Sequence, residues 1–380
     1  MKIKNLKKAA ERILKAIKNR EKIILYGDAD IDGSSSVIIL QESIQALGGK
    51  IKAIYFPNRE VEGYGISEKG LKHLKKFSPA LLIAVDCGIG NFKEIDLANK
   101  LGFEVIVIDH HQVLGKIPNA LIVVDPKQKG DKYPFKELAA TGIVFILSEL
   151  LLKNKMTTSL RQKFLELTAL ATIADMMPQE QDNKFFVEQG LITIENSSQP
   201  SLKAFFENKS LKEIVNLNEK ISKLVSILNI REIENGMPVS FQLLTSSTKQ
   251  KSQKIIKRLF KKSQLKKEKI DKIIEEINWQ VIKNPEPIIF IGSSEWEFGF
   301  ISTLASITCN KHKKPTFIFK KELKESQGAV RTPSDINSVF LMEKCSKYLL
   351  TFGGHPRASG FRMKNENLEK FKKCLLQNYA

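Results

Sequence analysis

Five short aliphatic runs, at 22–27, 51–56, 80–86, 104–109 and 120–124, alternate with segments whose apolar residues recur at helical spacing, at 3–19, 34–47, 67–76, 91–101, 139–154 and 160–175. A strand covered on both faces reads as a continuous apolar run, and parallel strands are covered that way. Regular alternation of such runs with helices predicts an α/β fold built on a doubly wound parallel sheet. In open sheets of this kind the ligand site lies at the carboxyl ends of the strands. Three of those ends carry chemistry: Asp28, Asp30 and Asp32 in LYGDADIDGSSS, Asp86 in LLIAVDCGIG, and Asp109, His110 and His111 in EVIVIDHHQ. Five carboxylates beside two imidazoles repel one another unless a cation joins them. The three loops therefore predict a divalent metal site, with two ions.

Each motif has a plainer reading beside this one. In Asp-x-Asp-x-Asp-Gly at 28–33, alternate residues of an extended segment point the same way and can turn three carboxylates toward one place. Gly33 then frees the backbone to turn, and Ser34 caps a helix that stops at Gly48-Gly49. A calcium loop of the EF-hand type opens with the same letters, but it needs a glutamate at its twelfth position and a preceding helix. Here Ile39 stands at that position and a strand precedes. Acidic turn residues alone remain the alternative for 28–32, and a turn or helix cap is the alternative for Asp86. Adjacent histidines after an aliphatic run are poor core residues; neutral imidazole suits Mn, Fe or Zn better than Ca, and Asp109 can orient one of them. Asp175 ends the apolar stretch LELTALATIADMMP, where a charge is costly unless partnered. Metal binding and a helix-end contact both account for it.

At 380 residues the chain exceeds one ordinary core. Its patterns predict a catalytic domain over 1–195, a helical region with one long connecting helix over 196–284, and a smaller α/β domain over 285–380. Residues 249–283 lack Gly and Pro and repeat apolar residues at helical spacing. The last region starts at PIIFIGSSEWEFGFISTLAS, continues through KKPTFIFKK and a loop at GAVRTPSD, and ends on LLTFGGHPRASGFRM and a terminal helix. Lys and Arg number 61 against 42 Asp and Glu, a formal net charge of +19. This favours a polyanionic partner such as nucleic acid, although a lysine-rich proteome gives the same excess. Cys87, Cys309, Cys345 and Cys374 have no paired spacing, which suits a reducing cytoplasm. No apolar run approaches the ~20 residues of a membrane span. The basic N-terminal segment contains Glu11 and lacks an apolar core, so it reads as a domain helix and not a targeting peptide.

Taken together, LYGDADIDGSSS, VDCGIGN, VIDHHQ, VVDP at 123–126, ATGIVF at 140–145 and LATIADMMP resemble the DHH phosphoesterase superfamily. With EGYGIS at 62–67 they resemble its RecJ-like branch of single-strand-specific exonucleases. SEWEFGFISTLAS, GAVRTP and GGHPRASGF resemble the superfamily's DHHA1 substrate-binding domain, and the resemblance implies an active-site cleft between the two domains. It also implies two ions, Mn²⁺ or Mg²⁺. Asp30 and Asp86 would bind the first, with Asp28 where other branches often have His; Asp32, Asp86, His110 and Asp175 would bind the second. Asp86 would thus bridge the pair, His111 would contact the scissile phosphate, and Asp109 would support the ligands from behind. Arg331, Gly353, Gly354, His355 and Gly360 would hold the substrate's phosphate or terminal nucleotide. The implied activity is hydrolysis of single-stranded DNA from the 5′ end to mononucleotides, in repair and recombination, beside a separate single-strand-binding protein or helicase. Hydrolysis of short oligonucleotides in the manner of nanoRNases, hydrolysis of a cyclic dinucleotide, and a non-catalytic nucleic-acid scaffold are the alternatives. The chain also departs from the pattern. Glu297 follows Trp296 where RecJ-like proteins usually have His, Gly-Ala-Val-Arg-Thr replaces Gly-Ser-Gly-Arg-Ser, and an Arg-x-Asn-x-x-Gly-Arg segment is not intact. An OB-fold domain is expected to be missing. Trp296 reads as a packed domain residue and not as a base-stacking platform.

Overall fold

The aliphatic runs form a parallel sheet. A computed structural model describes residues 2–113, 115–230 and 232–379, without the side chains of Glu60, Ser210 and His355. Strands β1 (Ile23–Gly27), β2 (Ile51–Tyr55), β3 (Ala80–Val85), β4 (Phe103–Ile108) and β5 (Ile122–Val124) pair all-parallel in the order β2-β1-β3-β4-β5. Helices α1 (Leu6–Lys18), α2 (Ile31–Ala46), α3 (Arg59–Glu62), α4 (Glu68–Leu74), α5 (Phe92–Lys100), α6 (Ala140–Leu152) and α7 (Thr158–Ala174) complete the alternation. Leu25, Ile83 and Ile106 face a core shared with α1, α2, α6 and α7. Ile24, Leu82 and Val105 face the opposite core, with Leu71 of α4 and Ile95 of α5. Helices on both faces of a parallel sheet are the doubly wound arrangement.

The start of α2 differs from the sequence reading. The helix begins at Ile31, and its cap is Asp30, whose side chain accepts the Gly33 amide. Ser34, Ser35 and Ser36 are therefore buried inside the helix, not placed at its cap. Gly33 is needed for close approach and not for a turn: a Cβ there would lie 2.3 Å from the Asp28 carbonyl oxygen.

The weakly patterned stretch holds α8 (Gln181–Ile192), α9 (Pro200–Phe206), α10 (Lys209–Lys212), α11 (Leu217–Leu228), a small hairpin of β6 (Ile233–Glu234) and β7 (Met237–Pro238), and α12 (Val239–Leu244). The expected helix is α13 (Lys249–Lys283). The region read as 196–284 does not stand apart. Leu202, Phe205, Leu224 and Leu243 belong to the first core, and the chain divides into Met1–Ser263 and Gln264–Ala380. The division falls inside α13, which gives Ile256 and Leu259 to the first unit's core and Ile270, Ile277 and Val281 to the second's.

The second unit has a sheet of β8 (Ile289–Ser293), β9 (Thr316–Lys321), β10 (Glu325–Arg331), β11 (Thr351–His355) and β12 (Ala358–Lys364), in the order β11-β12-β10-β9-β8. Only β8 and β9 are parallel. Helix α14 (Ile301–His312) packs on one face, with Trp296 buried beside it. Helices α15 (Ser338–Glu343) and α16 (Leu368–Tyr379) pack on the other. Residues 328–331 of GAVRTPSD are not a loop but the end of β10. Gly328 is required inside the strand, because a Cβ would lie 2.6 Å from the Ile318 carbonyl oxygen and 2.7 Å from Phe319 Cβ. Likewise Cys345 and Cys374 are paired: a disulfide joins the segment after α15 to α16, with Cα atoms 6.0 Å apart. Cys87 and Cys309 are free and buried. Among the described residues no helix is long and apolar enough to cross a membrane.

Candidate metal centre

β1, β3 and β4 are neighbours in the sheet, so the residues that follow them come together. Asp28 follows β1, Asp86 follows β3, and Asp109, His110 and His111 follow β4; Asp175 caps the C-terminus of α7. The side chains fall into three overlapping groups, each with ligand atoms within 4.8 Å of one another: Asp28 with Asp30 and Asp86; Asp32 with His110 and Asp175; Asp86 with His110 and His111. All six residues chosen from sequence as ligands are included, and Asp86 and His110 are each shared.

His110 gives the clearest geometry. Its ring is buried, and its Nε2 lies 3.3 Å from Asp86 Oδ1, 3.5 Å from Asp175 Oδ2 and 3.7 Å from Asp32 Oδ2. Neither ring nitrogen has a hydrogen-bond partner. Ligand atoms about 2.1 Å from one ion are separated from each other by roughly 3.0–3.4 Å. The spacing is thus close to that of donors around a shared cation. Electrostatics agrees. Burial, then the charges of Asp32 and Asp30, push the Asp86 carboxyl well above its ordinary value. Burial and the same two neighbours raise Asp175 to about 7. Burial holds His110 below its ordinary value despite Asp32, so it is a neutral donor. A divalent ion relieves every one of these conflicts.

Asp86 has φ 58, a left-handed backbone uncommon for a residue with a side chain. The strain is held from both sides: its amide donates to the Ile108 carbonyl at 2.9 Å, and the Tyr64 hydroxyl donates to its own carbonyl at 3.0 Å. Asp109 is buried and accepts from the Ile89 amide, the His110 and His111 amides and His111 Nδ1. Burial alone would raise this carboxyl, but His111 and the amides bring it to about 2. In return, although burial opposes it, the Asp109 contact raises the His111 imidazole.

The three aspartates of 28–32 do not act as one extended comb. The Asp32 carboxylate accepts the Ala140 and Thr141 amides, both at 2.8 Å, and the Thr141 hydroxyl. Asp28 and Asp30 are bridged by Arg59, whose Nε donates to Asp28 Oδ1 at 2.7 Å and Nη2 to Asp30 Oδ2 at 3.0 Å. Arg59, Tyr64 and Thr141 are functional candidates that the sequence reading did not single out. EGYGIS and ATGIVF drew attention to two of their segments; nothing local marks Arg59.

In the second unit, Arg331, Gly353, Gly354 and Gly360 line one cavity of about 550 Å³, with Phe298 and Arg362. Gly353 pairs with Gly360, which pairs with Ala329, so part of the cavity floor is bare backbone. Gly354 needs its glycine, having φ +131. Gly353 and Gly360 do not: a Cβ on the first would meet nothing within 4 Å, and on the second nothing nearer than 3.4 Å. Strand glycines that the fold does not require mark a place where a ligand comes close. Arg331 is half-buried, donating to Ser306 Oγ at 3.1 Å and to the Val330 carbonyl at 2.8 Å, and burial lowers its guanidinium pKa. His355 ends β11, and its side chain lies outside the described residues.

The fold and the clustered Asp and His residues define the class. Residues 22–172 match the DHH family, N-terminal domain, and along nearly its whole length the chain is similar to RecJ proteins. It is 31% identical over 382 residues to the single-stranded-DNA-specific exonuclease RecJ of Bacillus subtilis (strain 168), over 98% of this chain and 47% of that protein. It is 27% identical to the RecJ of Thermus thermophilus, over 97% of this chain and 54% of that one. The crystal structure of exonuclease RecJ bound to manganese matches with a TM-score of 0.80 and 25% identity, over 100% of this chain and 95% of that one. The chain spans about half the length of these two curated relatives.

Proposed function

We propose that the chain is a metal-dependent phosphodiesterase that degrades single-stranded DNA from its 5′ end to mononucleotides, using Mn²⁺ or Mg²⁺. The observation that carries this is the buried His110 Nε2 facing Asp86, Asp175 and Asp32 at 3.3–3.7 Å without a hydrogen bond. The similarity to RecJ proteins and to a manganese-bound RecJ structure supports the substrate and the ion. Asp32, Asp86, His110 and Asp175 would hold one ion; Asp30 and Asp86, with Asp28 beside them, would hold the other. Such ions would neutralise phosphate charge and supply a nucleophile drawn from water.

The chain's own residues do the rest. Asp109 fixes the His111 ring through Nδ1, and the side chain, beside the Tyr64 hydroxyl, is 43% exposed and can meet a phosphate oxygen. Tyr64 keeps the Asp86 backbone in its strained form. Residues 1–195 are read as the DHH domain and 285–380 as DHHA1, where Arg331 and the Gly353–Gly360 floor grip a phosphate or a terminal nucleotide. The long helix within 196–284 connects them. A role in DNA repair and recombination, a cytoplasmic location, and work beside a single-strand-binding protein or helicase follow from this substrate.

The test is product analysis on 5′- and 3′-labelled single strands of several lengths with Mn²⁺. Mononucleotides from the 5′ end are expected from the first time points, and blunt duplex should resist. Cleavage confined to dinucleotides would favour the short-oligonucleotide reading. Binding without hydrolysis would favour a scaffold.

A further inference from the structure

We propose that Arg59 is a resident occupant of the first metal site, the one formed by Asp28, Asp30 and Asp86, and that an ion loads there only by displacing it. This rests on the two-metal reading given above. The Arg59 guanidinium bridges two carboxylates. Nε donates to Asp28 Oδ1 at 2.7 Å, Nη2 to Asp30 Oδ2 at 3.0 Å, and Nη2 also pairs with Asp28 Oδ2. The remaining Asp30 oxygen, Oδ1, accepts the Gly33 amide at 3.1 Å. Three of the four oxygens of Asp28 and Asp30 thus accept a hydrogen bond already, and the fourth, Asp28 Oδ2, faces the same guanidinium. A planar guanidinium takes the same carboxylate lone pairs that a metal needs, so the two cations compete.

The other site is different. Among the described residues Asp32 and Asp175 form no ion pair with lysine or arginine; each faces His110 instead. The donors on Asp32 are amides and a hydroxyl and carry no charge, so this site is not neutralised by a resident cation as the other is, although they share Asp86. Binding should be sequential, strong at Asp32, Asp86, His110 and Asp175 and weak at the site held by Arg59. The displaced side chain has somewhere to go, because its guanidinium lies over the Tyr64 ring, 4.9 Å from the centroid. Rotation about that ring retains the cation–π contact while the carboxylates are released.

The experiment is calorimetric titration of Mn²⁺ into the full chain and into Arg59→Gln, with bound metal counted after gel filtration. The wild type should bind two ions in two affinity classes. In the variant the weak class should tighten by about tenfold or more, while the tight class stays within about threefold. The side-chain Nε resonance of Arg59, assigned by its loss in the variant, should shift in the wild type only as Mg²⁺ fills the second equivalent. Unchanged weak-class affinity in Arg59→Gln overturns the proposal. So does an Nε resonance that does not move at saturation; should Arg59→Gln fail to fold, Arg59→Lys, which keeps the charge, supplies the same assignment. A wild type that takes up no Mn²⁺ would instead defeat the two-metal reading itself.

Discussion

The Asp32 carboxylate accepts the Thr141 amide at 2.8 Å, across 109 residues of chain. This bond, with its twin from Ala140, sets a carboxylate of the proposed metal centre on the free amides that open α6. Unpaired amides and the positive end of the helix both favour a negative charge there. The aspartate loop and the ATGIVF segment are therefore one device: the second orients the first.

The Thr141 hydroxyl also bonds Asp32, and it lies 3.1 Å from Ser36 Oγ. Thr141→Val keeps the shape and the amide but removes both contacts. It should destabilise the chain by about 1–3 kcal/mol and weaken Mn²⁺ binding by roughly ten- to a hundredfold, as loss of a ligand's orienting partner does. Denaturant melts and metal titration check it; a variant equal to wild type in both would mean that the hydroxyl only fills space.

Asp86 belongs to two of the three ligand groups. Asp86→Ala should lower the bound Mn²⁺ from two ions toward none and leave less than about a tenth of the activity. Asp86→Asn removes a buried, repelled carboxyl while keeping its shape, so the metal-free protein should melt higher than wild type and gain little from Mn²⁺. Two ions still bound to either variant would show that Asp86 does not bridge.

Much of this was legible because burial leaves a plain trace. β1 and β3 read as unbroken aliphatic runs since both faces are covered, and the chemistry at their ends was visible as Asp28, Asp86 and the Asp109–His111 group. What was not legible depends on contacts between distant parts. Arg59 looks like an ordinary surface residue until Asp28 and Asp30 are placed against it. The serines after Gly33 resemble a cap, but Asp30 takes that role. GAVRTPSD reads as a loop, because the neighbouring strand that packs against Gly328 cannot be seen from local sequence. Cys345 and Cys374 lie 29 residues apart, and packing of α16 brings them together.

Stability should depend on pH in a direction set by the metal centre. In chelator, burial and repulsion hold Asp175 near 7, burial raises Asp125 to about 7, and burial and its acidic neighbours push Asp86 well above its ordinary value. The folded chain then binds protons that the unfolded chain has lost, so stability falls as pH rises from about 4 through 7. His111, also raised, has the same sign; His110, lowered, opposes it. The metal-free protein should melt higher near pH 5 than near pH 8, and saturating Mn²⁺ should reverse the order, because ions replace the protons. A metal-free melting temperature that rises between those two pH values would contradict the assignment.

Arg331 lies in the second unit and the metal ligands in the first. Arg331→Ala should raise KM about ten- to a hundredfold, the worth of a charge-assisted phosphate contact, with bound metal unchanged. Its salt dependence should be shallower than that of wild type by about one phosphate. Kinetics at two salt concentrations decide this, and an unchanged KM and slope would make Arg331 a structural residue.

The two glycines of β11 should separate folding from binding. Gly354 has φ +131, and a Cβ there would lie 2.7 Å from the Ala358 carbonyl oxygen and from the Ser359 Cα. Gly354→Ala should therefore destabilise the second unit by about 1–3 kcal/mol, whatever it does to activity. Gly353 has no such requirement, since an added Cβ would meet nothing within 4 Å, and a β-branched residue suits an extended strand. Gly353→Val should leave the melting temperature within a degree or two of wild type, or raise it. The same isopropyl group would stand over the floor made with Gly360, in a cavity of about 550 Å³ that also holds Arg331. Substrate that must lie against that backbone would be pushed away, so KM should rise by about tenfold or more while metal content and stability stay as they were. Melting curves, bound Mn²⁺ and steady-state kinetics on a labelled single strand are the three readouts. If Gly353→Val folds normally and turns over substrate with the wild-type KM, the bare floor is not where substrate binds.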